Sequence, residues 1–423
     1  MPEPEGGHPA QGEIPHPGRG AQEGLQGGEA HNAGYARRRG DHRHDRVVFE
    51  VCDQDQTPDR RLRPRLQTRR LQVPKPLMKL TVYGAGAFGF ALAHYLGLKF
   101  TSDDSVQVLL YGRDADLISR IRTARVHPIH YPTVPLPMRV KVTEDEEEAV
   151  KGADLLILCV PAQSVREASR SIAELIDPKA TILNTAKGLE LGSCKRLSVV
   201  IREELVPKGF EGDIAAFSGG TIASEMIMGA ALGAEVACEN PETARRLQML
   251  LSSATLRIYA NTDIIGVEYA GAFKNVIAIG AGISDGLNNP HGTKTLLVSR
   301  ASAEVKRLAL RLGAKEHTFS AESQAWANDL WMSCTGNTRN RFFGELIGRG
   351  LSVEEALKVM RRERKLVEGY YTAKAAYQLA RRCGVETPII DAIYSVLYLG
   401  EDPREAMRRL MSRSPKFLGE GAG

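Results

Sequence analysis

Lys79-Leu80-Thr81-Val82-Tyr83-Gly84-Ala85-Gly86-Ala87-Phe88-Gly89 is the stretch that decides the fold. It reads as a short apolar strand, a glycine-rich turn and the opening of a helix that continues through Phe90 to Leu98. Gly84 permits the tight strand-to-helix turn, Gly86 lets backbone approach a pyrophosphate, and Gly89 lets helix and strand pack closely. The helix N-terminus adds free N–H groups and a partial positive charge that suit phosphates. Such a match is weak when it stands alone. Here the flanks support it, because Leu80, Val82 and Tyr83 are apolar and a second strand, Val106–Tyr111, follows at the right distance. The expectation is a dinucleotide-binding turn, and with it a nicotinamide cofactor.

Working outward, apolar runs at 154–160, 181–185, 213–217 and 256–259 alternate with helical patterns such as 163–175 and 241–252. Strands separated by helices imply a doubly wound, mostly parallel sheet. After about residue 260 the alternation stops, and helical patterns follow at 264–283, 294–312, 339–349, 353–360, 366–383 and 388–398. The expected architecture is α/β, with a Rossmann dinucleotide-binding domain over 78–263, an all-α domain over 264–415 and a flexible tail over 416–423. The acidic run Glu144 to Glu148 reads as the start of a helix, where carboxylates are favoured.

Composition narrows the function. A chain of 423 residues that is 43% hydrophobic can fill two or more cores. A net charge of +5 is small for that length, which argues against a dedicated nucleic-acid binder and admits an anionic substrate. The six cysteines are scattered without Cys-x-x-Cys or His/Cys clusters, so no metal site is expected and a reducing compartment is. No uninterrupted apolar run reaches the length of a membrane span, and no secretory leader is visible. The expected location is the cytoplasm.

Ligands of open α/β sheets bind beyond the carboxyl ends of the strands. Those ends carry the glycine turn, then Gly112-Arg113-Asp114, Ala186-Lys187-Gly188 and Ser218-Gly219-Gly220-Thr221-Ile222-Ala223. A lysine, an arginine and a glycine-hydroxyl turn on one edge suit an anionic substrate beside a cofactor. Arg113 stands where an acidic residue would hold a ribose 2′-OH, and an arginine there can meet a 2′-phosphate, so NADP(H) is expected to be accepted.

Lys274 lies in a helix otherwise built of small and apolar residues. It reads either as a lysine whose ammonium reaches solvent, or as an ammonium held in a cleft with its pKa lowered by desolvation and a second lysine. Asp329 fits a surface, capping or site role. Trp326, Trp331, Phe342 and Phe343 read as core or lid. Thr338-Arg339-Asn340 precedes an apolar helix that Thr338 or Asn337 would cap, and the free N–H groups with an arginine fork would clamp a phosphate.

Taken together, the blocks at 82–93, 184–190, 266–286 and 334–341, with Val367-Glu368-Gly369 and Thr372-Ala373-Lys374, resemble the NAD(P)-dependent glycerol-3-phosphate dehydrogenase family from about Met78 to Arg413. The resemblance implies a C-terminal domain of the 6-phosphogluconate-dehydrogenase-like type and NAD(P)H as cofactor. It also implies reversible reduction of dihydroxyacetone phosphate to sn-glycerol 3-phosphate, which supplies the backbone for phospholipid synthesis. Lys274 resembles the lysine that gives and takes the proton, Lys187 the one that contacts substrate and nicotinamide, and Asp329 the family's aspartate. Gly219, Thr221, Thr338, Arg339 and Asn340 match substrate contacts. Gly84, Gly86, Ala87, Phe88, Gly89, Arg113, Ala223, Leu366 and Glu368 match cofactor contacts, and Lys187 and Arg339 are shared by the two ligands. A homodimer is compatible with the resemblance.

Three places depart from the family pattern. Ser218-Gly219-Gly220 replaces Ser-Gly-Pro, which should loosen that turn. Trp326-Ala327-Asn328 precedes the aspartate where small, glycine-rich sequence is usual, and His291-Gly292-Thr293-Lys294 replaces Asp-Asn-Thr-Lys. Two other readings compete. A related dehydrogenase for another small hydroxy acid would need a carboxylate site in place of a phosphate clamp. A non-catalytic nicotinamide sensor would have little need for two lysines and an aspartate.

Residues 1–77 are different material, with 9 of the 21 prolines and 10 of the 41 glycines but few aliphatic side chains. Such a segment cannot bury enough apolar surface to offset its ordering entropy. Its 13 Lys+Arg against 11 Asp+Glu leave only +2, too little for a nucleic-acid arm. A disordered or untranslated extension is expected, with Met78 as the natural start. The intact mass of the native protein checks this, and a mass near the full 46.2 kDa would overturn the Met78 start.

Overall fold

The structure, a computed structural model, describes residues 78–415, so the expectations for residues 1–77 and 416–423 lie outside the described residues. Eight strands form one sheet: β1 (Met78–Tyr83), β2 (Val106–Tyr111), β3 (Val140–Thr143), β4 (Leu155–Leu158), β5 (Thr181–Asn184), β6 (Ile214–Gly219), β7 (Leu232–Cys238) and β8 (Leu256–Asn261). Their order is β3-β2-β1-β4-β5-β6-β7-β8, and every pairing is parallel except the antiparallel β6–β7. The order reverses between β1 and β4, the place where doubly wound sheets open a ligand crevice.

Successive strand residues face opposite sides of the sheet, and both sides are buried. Leu155 and Ile157 join the core that holds Phe90 and Leu96, whereas Leu156 and Leu158 join the one that holds Ile172 and Val200. The covering helices are α1 (Ala87–Lys99), α2 (Ala115–Ala124), α3 (Glu146–Val150), α4 (Val165–Ile172), α5 (Leu197–Leu205), α6 (Ala223–Ile227) and α7 (Pro241–Leu251). The acidic run behaves as expected: Asp145 caps α3 by accepting the Glu148 N–H, with Glu146, Glu147 and Glu148 in the first turn.

Two strands escaped the sequence reading. β3 is only Val140-Lys141-Val142-Thr143, too short to announce itself, and β7 is built largely of small residues around a single Glu235. The run expected over 154–160 leaves the sheet at Leu158, and Cys159 then supports the glycine turn.

Beyond Asn261 the chain is helical. The helices are α8 (Ile264–Gly286), α9 (His291–Arg311), α10 (Asp329–Thr335), α11 (Arg339–Gly348), α12 (Val353–Arg362), α13 (Glu368–Cys383), α14 (Pro388–Tyr394) and α15 (Pro403–Met411). π-helical turns at Gln324–Asn328 and Ser395–Leu399 lead into α10 and extend α14. The polar, strongly charged α15 was not anticipated. The helical lobe and the sheet pack as one compact unit, with Ala216 and Ala237 of the sheet contributing to the helical core.

α8 is the axis of this lobe, and all of it except Ile265 and Asp285 is buried. By length and hydropathy it alone among the described helices could cross a membrane, but its most apolar stretch is 94% buried inside the protein. An all-round apolar helix of this kind is a core element here. Its small residues serve close packing. A Cβ on Gly282 would lie 1.9 Å from the Arg341 carbonyl oxygen of α11, and one on Gly344 of α11 would lie 2.1 Å from the Ile279 oxygen. Asp263 starts the helix by accepting the Gly266 N–H at 2.9 Å.

Candidate active site

The three glycines of the first turn separate by role. A Cβ on Gly84, whose φ is +125°, would lie 2.5 Å from the Cys159 carbonyl oxygen, and one on Gly89 would lie 1.8 Å from the Gly84 oxygen. Protein packing therefore demands both. A Cβ on exposed Gly86 would meet nothing within 4 Å, so the protein itself leaves this place open at the N-terminus of α1. No side chain caps that helix. An open backbone with uncapped N–H groups is what a pyrophosphate needs, and a nicotinamide dinucleotide fits.

His127, which the sequence reading missed, holds this turn from behind. Its Nδ1 accepts the Ile129 and His130 N–H groups, both at 3.2 Å, so its Nε2 donates to the Ala85 carbonyl at 3.1 Å. Burial pushes its pKa down to about 4, which keeps it neutral. A histidine forty residues from the turn carries no local signal of this role.

The other cofactor candidates fall in two groups. Ala87 and Phe88 open α1, with the Phe88 ring tilted against Phe217. Leu366 and Glu368 line a cavity with Pro161, Ala162 and Gly188, the last adjacent to Lys187. Burial raises the Glu368 carboxyl pKa, while the nearby Arg339 and the Ala162 N–H oppose that rise. Ala223 opens the short α6. Arg113 does not join Lys187 and Gly219, because β2 lies on the far side of β1 from β5. Exposed, it faces Glu167 at 3.6 Å, and Asp114 is occupied in capping α2 through the Leu117 N–H at 3.0 Å.

Three charged residues far apart in sequence meet in the interior. Lys187, just beyond β5, donates to the Gly219 carbonyl at 2.6 Å and to Asp329 Oδ2 at 2.8 Å. Lys274, 6% exposed on α8, donates to Asp329 Oδ1 at 2.9 Å and to Ser333 Oγ at 2.8 Å. Asp329 is 0% exposed, so its carboxylate is shared by two ammonium groups. Lys274 thus does not reach solvent, and Asp329 is not a surface residue.

Burial strips water from Lys187 and lowers its pKa; the neighbouring Lys274 adds to that, and Asp329 opposes it without prevailing. For Asp329, burial would raise the pKa, but the two ammoniums outweigh it and hold the carboxyl below its usual range. An ammonium has three N–H donors. Each lysine uses two within the protein, leaving one apiece for a ligand oxygen. The cluster carries two positive charges and one negative, and so favours an oxygen on which negative charge develops.

Gly219 and Thr221 complete this edge. The Gly219 carbonyl takes the Thr221 N–H at 2.7 Å as well as the Lys187 ammonium. The buried Ser218 hydroxyl has no hydrogen-bond partner among the described residues and faces α8 at Gly271. Gly220 is hemmed in, because a Cβ there would lie 2.9 Å from the Asn328 amide. Two of the departures from the family pattern therefore sit against each other.

The Thr338-Arg339-Asn340 run opens α11, but not as a side-chain cap. Thr338 occupies the cap position, yet its hydroxyl donates backwards to the Ser333 carbonyl at 2.8 Å, leaving the first N–H groups of α11 without a side-chain acceptor. The Asn340 amide donates to Asn275 Oδ1 at 2.9 Å and accepts the Gly369 N–H at 3.0 Å, tying α8, α11 and α13 together. Arg339 is exposed, and its guanidinium makes no hydrogen bond or ion pair with another described residue. Trp326 and Phe343 are core, whereas Trp331 is exposed, contrary to the packing role expected of it. Ser333 was also missed, although its place four residues after Asp329 puts both on one helix face.

Comparison with known proteins gives the family of the chain. Residues 79–244 match the model for the N-terminal part of NAD-dependent glycerol-3-phosphate dehydrogenase, and residues 263–408 match the model for its C-terminal part. The chain is 38% identical to the NAD(P)+ glycerol-3-phosphate dehydrogenase of Thermobifida fusca over 343 residues, which is 80% of this chain and 98% of that protein. It is 38% identical to that of Oleidesulfovibrio alaskensis over 80% and 99%. The crystal structure of glycerol-3-phosphate dehydrogenase from Coxiella burnetii superposes with a TM-score of 0.72 at 30% identity, covering 80% of this chain and 99% of the other. The Plasmodium falciparum glycerol-3-phosphate dehydrogenase structure has a TM-score of 0.74 over 81% and 97%, and at 22% identity it is a likeness of fold. The chain belongs to the NAD-dependent glycerol-3-phosphate dehydrogenase family, as an oxidoreductase with an N-terminal Rossmann domain and an all-α C-terminal domain.

Proposed function

We propose that the protein catalyses the reversible NAD(P)H-dependent reduction of dihydroxyacetone phosphate to sn-glycerol 3-phosphate in the cytoplasm. The observation that carries this reading is the Lys187–Asp329–Lys274 cluster, with one free N–H on each lysine. When bound, the nicotinamide supplies or accepts the hydride. As the substrate carbonyl gains negative charge, Lys187 and Lys274 stabilise its oxygen, and Lys274 delivers the proton. Asp329 keeps the two ammoniums apart and oriented, at the same time balancing part of their charge. Arg339 and the uncapped N–H groups of α11 take the substrate phosphate, away from the reacting carbon. Asn340 fixes α11 with one amide N–H and its oxygen, and its second amide N–H remains for the substrate.

Three outcomes are expected. Lys274→Ala should lower kcat by at least about 10²-fold, the usual worth of a positioned acid–base group, with NADH affinity retained because Lys274 is remote from the glycine turn. Turnover at the wild-type rate in NADH oxidation at 340 nm would remove its role. Arg339→Ala should chiefly raise KM for dihydroxyacetone phosphate, by about 10-fold or more, since a charge-assisted phosphate contact contributes roughly 1.5–3 kcal/mol; a change confined to kcat would count against the clamp. With Asp114 committed to its helix, Arg113, held only by an exposed ion pair to Glu167, can turn to meet a 2′-phosphate, and NADPH should support turnover. Steady-state comparison of the two cofactors checks this, and a large preference for NADH would refute it.

A further inference from the structure

We propose that Glu235 is a positioning residue for the candidate active site, setting where the Asp329 carboxylate meets Lys187. The inference rests on the reading of Asp329 given above. Glu235 lies in β7 as an isolated acid in an apolar run, and it is buried. Alternation along the strand turns it, with Ala237, toward the helical lobe, while Ala234 and Val236 face the other core.

Its two carboxylate oxygens divide the work. Oε1 accepts the Ser323 hydroxyl at 2.7 Å, the Gln324 N–H at 2.7 Å and the Ala325 N–H at 3.0 Å. Oε2 accepts the Asn261 amide at 2.7 Å. The three donors to Oε1 are the front of the π-helical turn Gln324–Asn328, and the residue that follows this turn is Asp329. The turn is wide because the Asn328 N–H reaches back five residues to the Ser323 carbonyl, at 3.2 Å. A carboxylate some 90 positions away therefore does what a local cap does elsewhere, and anchors the segment that delivers Asp329.

The other acceptor of Lys187 lies on the strand paired with the one that carries Glu235. In the β6–β7 register Glu235 stands opposite Ser218, and the next pair is Gly219 with Ala234. The Gly219 carbonyl and the Asp329 carboxylate, both bonded to the Lys187 ammonium, are thus referred to one point on β7. Asn328, within the turn, packs against Gly220 on the same edge. If this anchor goes, the turn can shift against the strand, and Lys187 loses the simultaneous fit to two acceptors. Displacements on the order of 1 Å from remote changes can cost about 10²-fold in rate.

The test compares Glu235→Ala, Glu235→Gln and Lys274→Ala in the full chain, with kcat and KM per folded enzyme and NADH affinity by fluorescence titration. Glu235→Ala is expected to lose about 10-fold or more in kcat with NADH affinity within about twofold of wild type. Glu235→Gln keeps a carbonyl oxygen for the turn and should recover kcat to within about threefold. Wild-type kcat in folded Glu235→Ala would overturn the proposal, as would a loss shared equally between kcat and NADH affinity. If Glu235→Ala does not fold, Ser323→Ala removes one donor to Oε1 and carries the same test, with a smaller loss confined to kcat expected and no loss overturning it. The Lys274→Ala arm separates the two levels: loss of turnover there with none in Glu235→Ala sinks the positioning role alone. Retained turnover in Lys274→Ala sinks the site reading and this proposal together.

Discussion

A single buried carboxylate, Asp329, shared by a buried ammonium and a part-buried one is the constraint around which this protein is arranged. Two lysines brought together in a low-dielectric interior repel strongly, and each loses its hydration. With the aspartate, the cluster keeps a net positive charge and one spare donor on each lysine. The arrangement costs stability in exchange for an electrostatic environment ready before any ligand arrives, which is where catalytic sites gain most.

Much of the surrounding structure can be understood as support for that pair of contacts. α8 is buried almost along its whole length, so Lys274, only 6% exposed, finds its partners inside. Glycine contacts between α8 and α11 bring the start of α11, with Arg339, close to the same axis. Asn340 then bonds α11 to α8 and α13, which carries Glu368 toward the cavity shared with Gly188. From the sheet side, Glu235 and the Gly219 carbonyl meet the π-helical turn and Lys187. The cluster is therefore held from both lobes.

The departures from the family pattern also make physical sense as neighbours. The turn at Gly220 lacks the ring of a proline, and the residue before Asp329 is an asparagine where something small is usual. In the folded chain the Asn328 amide occupies the space beside Gly220, so lost bulk on one segment is met by added bulk on the other. In the third departure, Lys294 pairs with Asp285 at 2.8 Å, and Asp285 also takes Arg341 at 3.2 Å, a network within the helical lobe.

The sequence by itself determined the parts of this protein that depend on neighbouring residues. The glycine turn, the alternation of strand and helix, the change to helices after β8 and the acidic start of α3 all follow from steric limits and periodicity within a few residues. β3 and β7 were illegible on the same grounds, one too short and the other too poor in large side chains. The identity of the key charges was also legible, through their resemblance to a known family. Their partnership was not. Asp329 lies 142 residues from Lys187 and 55 from Lys274, and spacing alone favoured a Lys274 that reaches solvent. Only the packing of α8 against α10 and the sheet decided that it is buried. The reasons are close backbone approach at glycines and the need of every buried charge for a partner, and both belong to the folded molecule.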